Sequence, residues 1–113
     1  MRKKALVNCP DISVIVPAYN AEGTLRRAVH SALSQTGITL EVIVIDDCSR
    51  DNTLGIARSL EAADSRVVVI ARNVTSGVSR ARNDGLEIAR GHWVTPLDAD
   101  DSYVSGRLAA MLA

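Results

Sequence analysis

Four continuous apolar runs, rich in β-branched residues, punctuate the chain, and each is followed by apolar positions at helical spacing. Ile12-Ser13-Val14-Ile15-Val16 reads as a buried strand ended by Pro17. Pro17-Ala18-Tyr19-Asn20 is then a turn, with Asn20 as the cap of a helix. Leu25, Ala28, Val29, Ala32 and Leu33 carry that helix to about Gln35, and Gly37 ends it. Glu41-Val42-Ile43-Val44-Ile45 is a second strand, stopped by Asp46-Asp47. Asp51, Asn52 or Thr53 caps a second helix with Leu54, Ala57, Leu60 and Ala63 on its apolar face. The third strand is Arg66 to Ala71, followed by a polar loop from Asn73 to Ser76. A third helix opens at Gly77-Val78, turns Val78, Ala81, Gly85, Ile88 and Ala89 inward, and closes at Gly91. Trp93 to Leu97 is a fourth strand, with Trp93 in the core. From Tyr103 a fourth helix carries Leu108, Met111 and Leu112 as its apolar stripe.

Strands apolar on both faces, alternating with amphipathic helices, predict an α/β fold: a Rossmann-like parallel sheet covered on both sides. Crossovers in such a sheet are right-handed, so all strand C-termini share one edge. Ligands bind on that edge, where the strand order reverses. Pro17-Ala18-Tyr19, Asp46-Asp47, Arg72-Asn73 and Asp98-Ala99-Asp100-Asp101 each follow a strand. The polar clusters therefore converge on one edge, a regularity that scattered surface acids would not show.

Length suits one domain, expected over residues 12–113 behind a tail of residues 1–11. A content of 47% hydrophobic and 23% charged residues excludes a disordered chain. Zero formal net charge argues against a nucleic-acid binder driven by charge. Cys9 and Cys48 fit neither a metal spacing nor a disulfide framework, which suits a reducing compartment. No apolar run approaches a membrane span. Met1-Arg2-Lys3-Lys4 precedes too short an apolar segment for a signal peptide and reads as a solvated basic tail.

Asp98, Asp100 and Asp101 place three carboxylates within four residues. Each raises the cost of ionising its neighbours, and a hard divalent cation, Mg²⁺ or Mn²⁺, removes that cost. Such an ion takes one or two protein carboxylates and completes its shell with water and substrate phosphates. A solvated acidic loop is the alternative. The dinucleotide fingerprint Gly-x-Gly-x-x-Gly is absent after the first strand, and so is Walker A. Arg80 and Arg82 sit in a first helical turn, where cations oppose the dipole, which favours an anionic partner or a salt bridge to nearby acids. Asp46 reads as a turn cap and Asp51 as a helix cap. His30 is expected in solvent, and neither His30 nor His92 has a catalytic pattern around it.

Four segments resemble glycosyltransferase family 2: Ser13-Val14-Ile15-Val16-Pro17-Ala18-Tyr19-Asn20, Val44-Ile45-Asp46-Asp47-Cys48-Ser49-Arg50-Asp51-Asn52-Thr53, Gly77-Val78-Ser79-Arg80-Ala81-Arg82-Asn83-Asp84-Gly85 and Leu97-Asp98-Ala99-Asp100-Asp101. The last looks like the family's Asp-x-Asp motif. The resemblance implies the donor-binding half of a GT-A fold and transfer of a sugar from a nucleotide-diphosphate donor, commonly UDP, with inversion. It implies Pro17, Ala18, Tyr19, Glu22, Asp47, Arg82 and Asp98 at the nucleotide-sugar, with Tyr19 and Asp47 at the base, Arg82 near the phosphates and Asp98 near the ribose or donor sugar. Asp100, with Asp98, would hold Mn²⁺ or Mg²⁺. The acceptor would be a glycan or lipid-linked sugar in cell-envelope polysaccharide synthesis, on the cytoplasmic side, with peripheral membrane contact. Cys48 stands where the family often has Gly, and Pro96 where an aliphatic or aromatic residue is common. Members continue past the position of Ala113 into an acceptor-binding half that carries an Asp or Glu base, so the base is expected beyond residue 113. Apolar surface is then expected where that half packs, with a homodimer as one way to cover it. A non-catalytic nucleotide-sugar-binding module fits the same residues. A receiver-like or phosphatase domain does not, since its acids belong after the first strand and no lysine follows Lys4.

Overall fold

The computed structural model describes residues 9–112. Eight elements alternate: β1 (Ile12–Ala18), α1 (Leu25–Leu33), β2 (Leu40–Asp46), α2 (Thr53–Ala63), β3 (Val67–Ala71), α3 (Val78–Ile88), β4 (Trp93–Pro96) and α4 (Arg107–Leu112). The sheet is parallel throughout, in the order β3-β2-β1-β4. The chain moves outward one way from β1 to β3 and then crosses to β4 on the other side of β1. The order therefore reverses between β1 and β4, and a crevice belongs at their C-terminal ends. The basic tail of residues 1–4 lies outside the described residues. The chain is already tied to the sheet before residue 12: the Asp11 amide donates to the Thr39 carbonyl, and the His92 amide to that of Pro10.

Every residue of β1 and β2 is buried, as continuous apolar runs in a two-sided sheet require. Val14, Val16, Val42 and Val44 pack with Leu25, Ala28, Val29 and Ala32 of α1, Ala57 and Leu60 of α2, and Leu108 of α4. Ile15, Ile43 and Ile45 face α3 through Ala81. Gly85 lets α3 lie close: a Cβ there would sit 2.9 Å from Ile15 Cγ2 and from Ile45 Cδ1.

Several expected boundaries and faces differ. Pro17 lies inside β1, paired in register with Ile45. The Ile15 carbonyl accepts from Leu97 N on the β4 side, and two residues on, Pro17 faces the same way. Pairing with β4 has ended at Pro96 by then, so no ladder donor is lost. Asn20 does not cap α1; it takes φ +50°, and the helix begins only at Leu25 and ends at Leu33, short of Gln35. Val78 and Ile88 are exposed, because Ala81 and Gly85 define the buried stripe of α3. Trp93 is 54% exposed and outside the core. β4 stops at Pro96 and forms an edge, with Val94 and Pro96 also exposed. In α4, which starts at Arg107 and not at Tyr103, only Leu108 of the expected stripe is buried. Exposed apolar side chains gather here. Trp93, Val94, Met111 and Leu112 line a groove of about 100 Å³ on one side of β4, and Leu86, Val94 and Pro96 one of about 230 Å³ on the other. His30 is exposed, as expected.

Candidate functional site

The C-terminal edge holds a small open cleft of about 70 Å³ lined by Pro17, Ala18, Tyr19, Asp47, Val78 and Ala81. β1 delivers the first three residues, and Tyr19, the first beyond the strand, is half-exposed at its lip. Asp47 follows β2, tied by its own amide to the Ala18 carbonyl. Its carboxylate is buried and turned toward α3. It accepts from Ser76 N at 3.1 Å, Gly77 N at 2.9 Å and Ser76 Oγ at 3.2 Å, and Arg72 Nε lies 3.4 Å away. An anion at a helix N-terminus satisfies amides that have no intrahelical partner and complements the dipole. Gly77 makes the approach with φ +93°, a conformation open to glycine. Asp47 thus lines the cleft while fixing the loop that forms its far wall, a second role its place after a strand did not reveal.

Asp46 behaves as a turn cap, accepting weakly from Ser49 N at 3.4 Å with one carboxylate oxygen. Its other oxygen is buried with no partner among the described residues. Cys48 takes φ +61°, the conformation a glycine would adopt at no cost. Asp51 caps as expected: its carboxylate accepts from Thr53 N at 2.9 Å and from the Thr53 hydroxyl. The Thr53 hydroxyl holds the Asp51 carboxyl below the usual aspartate range, burial opposes the shift, and the amides of Thr53 and Glu22 add to it. Glu22 is placed on the loop after β1, its carboxylate accepting from Asn52 N at 3.0 Å. Among the described residues no contact brings its side chain into the lining of the Tyr19 cleft.

Across β1 lie Asp98, Asp100 and Asp101, all exposed, on a turn closed by Asp101 N donating to the Asp98 carbonyl. Leu97 and Ala99 are buried beneath them and anchor the turn. Arg82 reaches this loop from α3, with Nη2 3.7 Å from Asp98 Oδ1. Arg27 of α1 reaches it from the other face, donating to the Asp100 carbonyl at 3.5 Å. Arg72 is taken up between Asp47 and Asp84. Among the described residues no three Asp, Glu, His or Cys side chains converge as a metal cage. The acids after β2 are turned into loop contacts and do not join those after β4. Asp98 and Asp100 do present two exposed carboxylates, a number within what a Mg²⁺- or Mn²⁺-diphosphate site takes from a protein. Sequence reasoning missed Gln35, a buried amide whose Nε2 donates to Val104 O at 2.8 Å and whose Oε1 accepts from Leu108 N at 3.0 Å. It also missed Tyr103, whose hydroxyl donates to the Pro96 carbonyl at 2.9 Å, with burial pushing the phenol above its usual range. Together they tie the chain after the acidic loop back to α1 and β4.

The family model described as "Glycosyl transferase family 2" matches residues 13–113. The chain belongs to glycosyltransferase family 2. It is 42% identical over 112 residues to the succinoglycan biosynthesis protein ExoO of Rhizobium meliloti, covering 99% of this chain and 32% of that protein. It is 40% identical over 98 residues to WfaP of Escherichia coli, named as a UDP-Glc:alpha-D-GlcNAc-diphosphoundecaprenol beta-1,3-glucosyltransferase, covering 87% of this chain and 38% of that protein. The mannosyltransferase PcManGT of Pyrobaculum calidifontis, solved with GDP-Man and Mn²⁺, superposes with TM-score 0.84 at 26% identity, covering 94% of this chain and 32% of that one. The family 2 chain therefore has the GT-A fold and spans about a third of the length of these relatives. No helix among the described residues is long and apolar enough to cross a membrane.

Proposed function

We propose that residues 12–113 form the donor-binding part of an inverting glycosyltransferase that uses a nucleotide-diphosphate sugar, a UDP-sugar in the first instance, and a divalent cation. The observation that carries this reading is that the Tyr19 cleft, Arg82 and the Asp98–Asp101 loop flank β1 where the strand order reverses. Pro17, Ala18 and Tyr19 take the nucleoside, with the base against Tyr19 and the rim of Asp47. Arg82 meets the donor phosphates, and Asp98 reaches the ribose or sugar. Asp100, with Asp98, holds Mn²⁺ or Mg²⁺, consistent with the Mn²⁺ in the mannosyltransferase structure. When bound, the cation stabilises the negative charge that develops on the departing nucleoside diphosphate. Asp98 gives up its long contact with Arg82 to serve the ligand, which frees the guanidinium for phosphate. The base that deprotonates the acceptor hydroxyl lies outside residues 1–113. The acceptor is a glycan or lipid-linked sugar in envelope polysaccharide synthesis, a choice supported by the names of the relatives, and the reaction runs at the cytoplasmic face of a membrane.

The test is calorimetric titration of the chain with UDP, with and without Mn²⁺, and of Asp100→Asn. Metal-dependent binding of UDP, lost in the variant, is expected. Binding of GDP or dTDP in preference to UDP would overturn the choice of base, and unchanged metal dependence in the variant would remove Asp100 from the metal. Binding without transfer, persisting when the chain is extended to the length of its relatives, would favour the non-catalytic module.

A further inference from the structure

The loop that carries Tyr19 is stitched to the loop after β2 by a reciprocal set of hydrogen bonds. Asn20 N donates to Ser49 Oγ at 2.9 Å, and Arg50 N donates back to Asn20 Oδ1 at 2.8 Å. Glu22 N donates to Asp51 Oδ2 at 3.2 Å, and Asn52 N donates back to Glu22 Oε2 at 3.0 Å. Between these two pairs, Ala21 N donates to Thr53 Oγ1 at 2.7 Å. That hydroxyl is fully buried and spends its own proton on Asp51. Its geometry is therefore one-way: a carboxylate fixes the rotor, and the lone pair is left to accept the Ala21 amide. The Ala21 carbonyl in turn accepts from the N of Leu25, the first residue of α1, at 2.9 Å. On the other side of Tyr19, the Ala18 carbonyl is held by Asp47 N at 2.9 Å.

We infer that Thr53, oriented by Asp51, is a positioning residue for the nucleoside side of the cleft: its buried hydroxyl latches Ala21 and so holds the backbone of Tyr19 between two fixed points. This rests on the reading of the Tyr19 cleft as the nucleoside site. Neither Thr53 nor Asp51 lines the cleft. Their effect is preorganisation, which saves the cost of ordering the loop on binding.

The experiment compares the parent chain with Thr53→Val, which keeps the shape and loses the hydroxyl, and Thr53→Ser, which restores it. Amide hydrogen exchange is followed at Asn20, Ala21 and Glu22 against amides in the middle of β2, alongside calorimetric titration with UDP and Mn²⁺. In Thr53→Val the loop amides are expected to exchange about tenfold faster while β2 is unchanged, and UDP to bind ~5–10-fold more weakly, the worth of one hydrogen bond. Thr53→Ser is expected to recover both. Loop exchange that is unchanged, or that rises only in step with β2, overturns the latch. Parent-like UDP affinity in a Thr53→Val chain whose loop is released overturns the positioning role. A parent chain that binds no nucleoside diphosphate but shows the latch in exchange overturns the nucleotide reading, and with it the tie to Tyr19, while the latch itself stands.

Discussion

The Asp47 carboxylate holds the loop before α3, and on the proposed function it also meets the nucleoside; replacing it separates the two roles. Asp47→Asn keeps the shape and one acceptor oxygen. With the carbonyl at the Oδ1 position, it still serves Ser76 N and Ser76 Oγ, but the new amide group faces Gly77 N, which the carboxylate accepts at 2.9 Å. A lost hydrogen bond to a charged group costs about 1.5–3 kcal/mol. Removing the charge from a partly buried helix N-terminus costs up to ~2 kcal/mol more, and the Arg72 guanidinium 3.4 Å away loses an anionic neighbour. The expected loss is roughly 3 kcal/mol for Asn, and about 4–5 kcal/mol for Ala, which leaves every donor stranded. Small domains hold about 5–15 kcal/mol in total, so Asp47→Ala stands near the limit of folding. Urea denaturation followed by circular dichroism measures it: with a slope of about 1–3 kcal/mol per molar, the Asn variant moves the midpoint by ~1–3 M. Asp100→Asn is the control, because an exposed carboxylate without protein donors should change stability by less than ~0.5 kcal/mol. A loss below ~0.5 kcal/mol in Asp47→Asn, with UDP binding still impaired, would refute the cap and leave Asp47 as a ligand group alone.

Other expectations follow from close approaches and open edges. A Cβ on Gly91 would stand 2.5 Å from the Ser13 backbone nitrogen and 2.7 Å from Ser13 Oγ, which accepts from Gly91 N and donates to buried Glu41, so Gly91→Ala should cost about 3 kcal/mol or more in urea denaturation. Gly85→Ala meets side chains and no backbone, Ile15 Cγ2 and Ile45 Cδ1 at 2.9 Å, and its overpacking is partly offset by ~1 kcal/mol of helix propensity, so it should cost less than Gly91→Ala; equal losses would refute the distinction between backbone and side-chain clashes. The chain should self-associate through β4, and Trp93→Ser with Val94→Lys should shift it to monomer in sedimentation velocity while changing stability by less than ~1 kcal/mol, since both side chains are substantially exposed. Unchanged association would place the contact elsewhere.

The alternation of strands and helices was legible because β1 to β3 are short runs rich in β-branched residues, buried throughout in β1 and β2, set between longer stretches of helical spacing. The shared edge followed from parallel topology alone, and Tyr19, Asp47, Arg72 and Asp98, each just past a strand, lie along it; Arg82 reaches the edge from within α3, where strand ends gave no pointer. What local pattern could not give was the position of each strand in the sheet. Trp93 reads as core in any central strand, and it is exposed because β4 is an edge. Met111 and Leu112 have helical spacing, but α4 is short and meets the sheet through Leu108. Asn20 has the chemistry of a cap and spends it across loops, on Arg50, thirty residues away in sequence. Thr53 read as a helix cap and Gln35 as a helix end, and neither reading gave their partners, which only the fold supplies.

The two acidic clusters look alike in sequence and do different work. Asp46, Asp47 and Asp51 are buried or bonded to amides, and they fix the loops after β1, β2 and β3. Asp98, Asp100 and Asp101 are exposed on a turn held from below by Leu97 and Ala99. Asp47 and Asp51 are satisfied by backbone amides and gain little from leaving them, whereas Asp100, and Asp98 beyond its long contact with Arg82, are exposed without amide partners among the described residues; Asp101 already accepts from Ser102 N at 2.8 Å. The cations differ too. Arg72 is neutralised by Asp47 and Asp84, whereas among the described residues Arg82 has one long ion pair, with Asp98, which on the proposed function it exchanges for a phosphate. A diphosphate and a divalent ion arriving together would satisfy Arg82, Asp98 and Asp100 at once, and neither alone would, so donor and metal should bind with positive coupling: Mn²⁺ tightens UDP, and by reciprocity UDP tightens Mn²⁺ by the same factor.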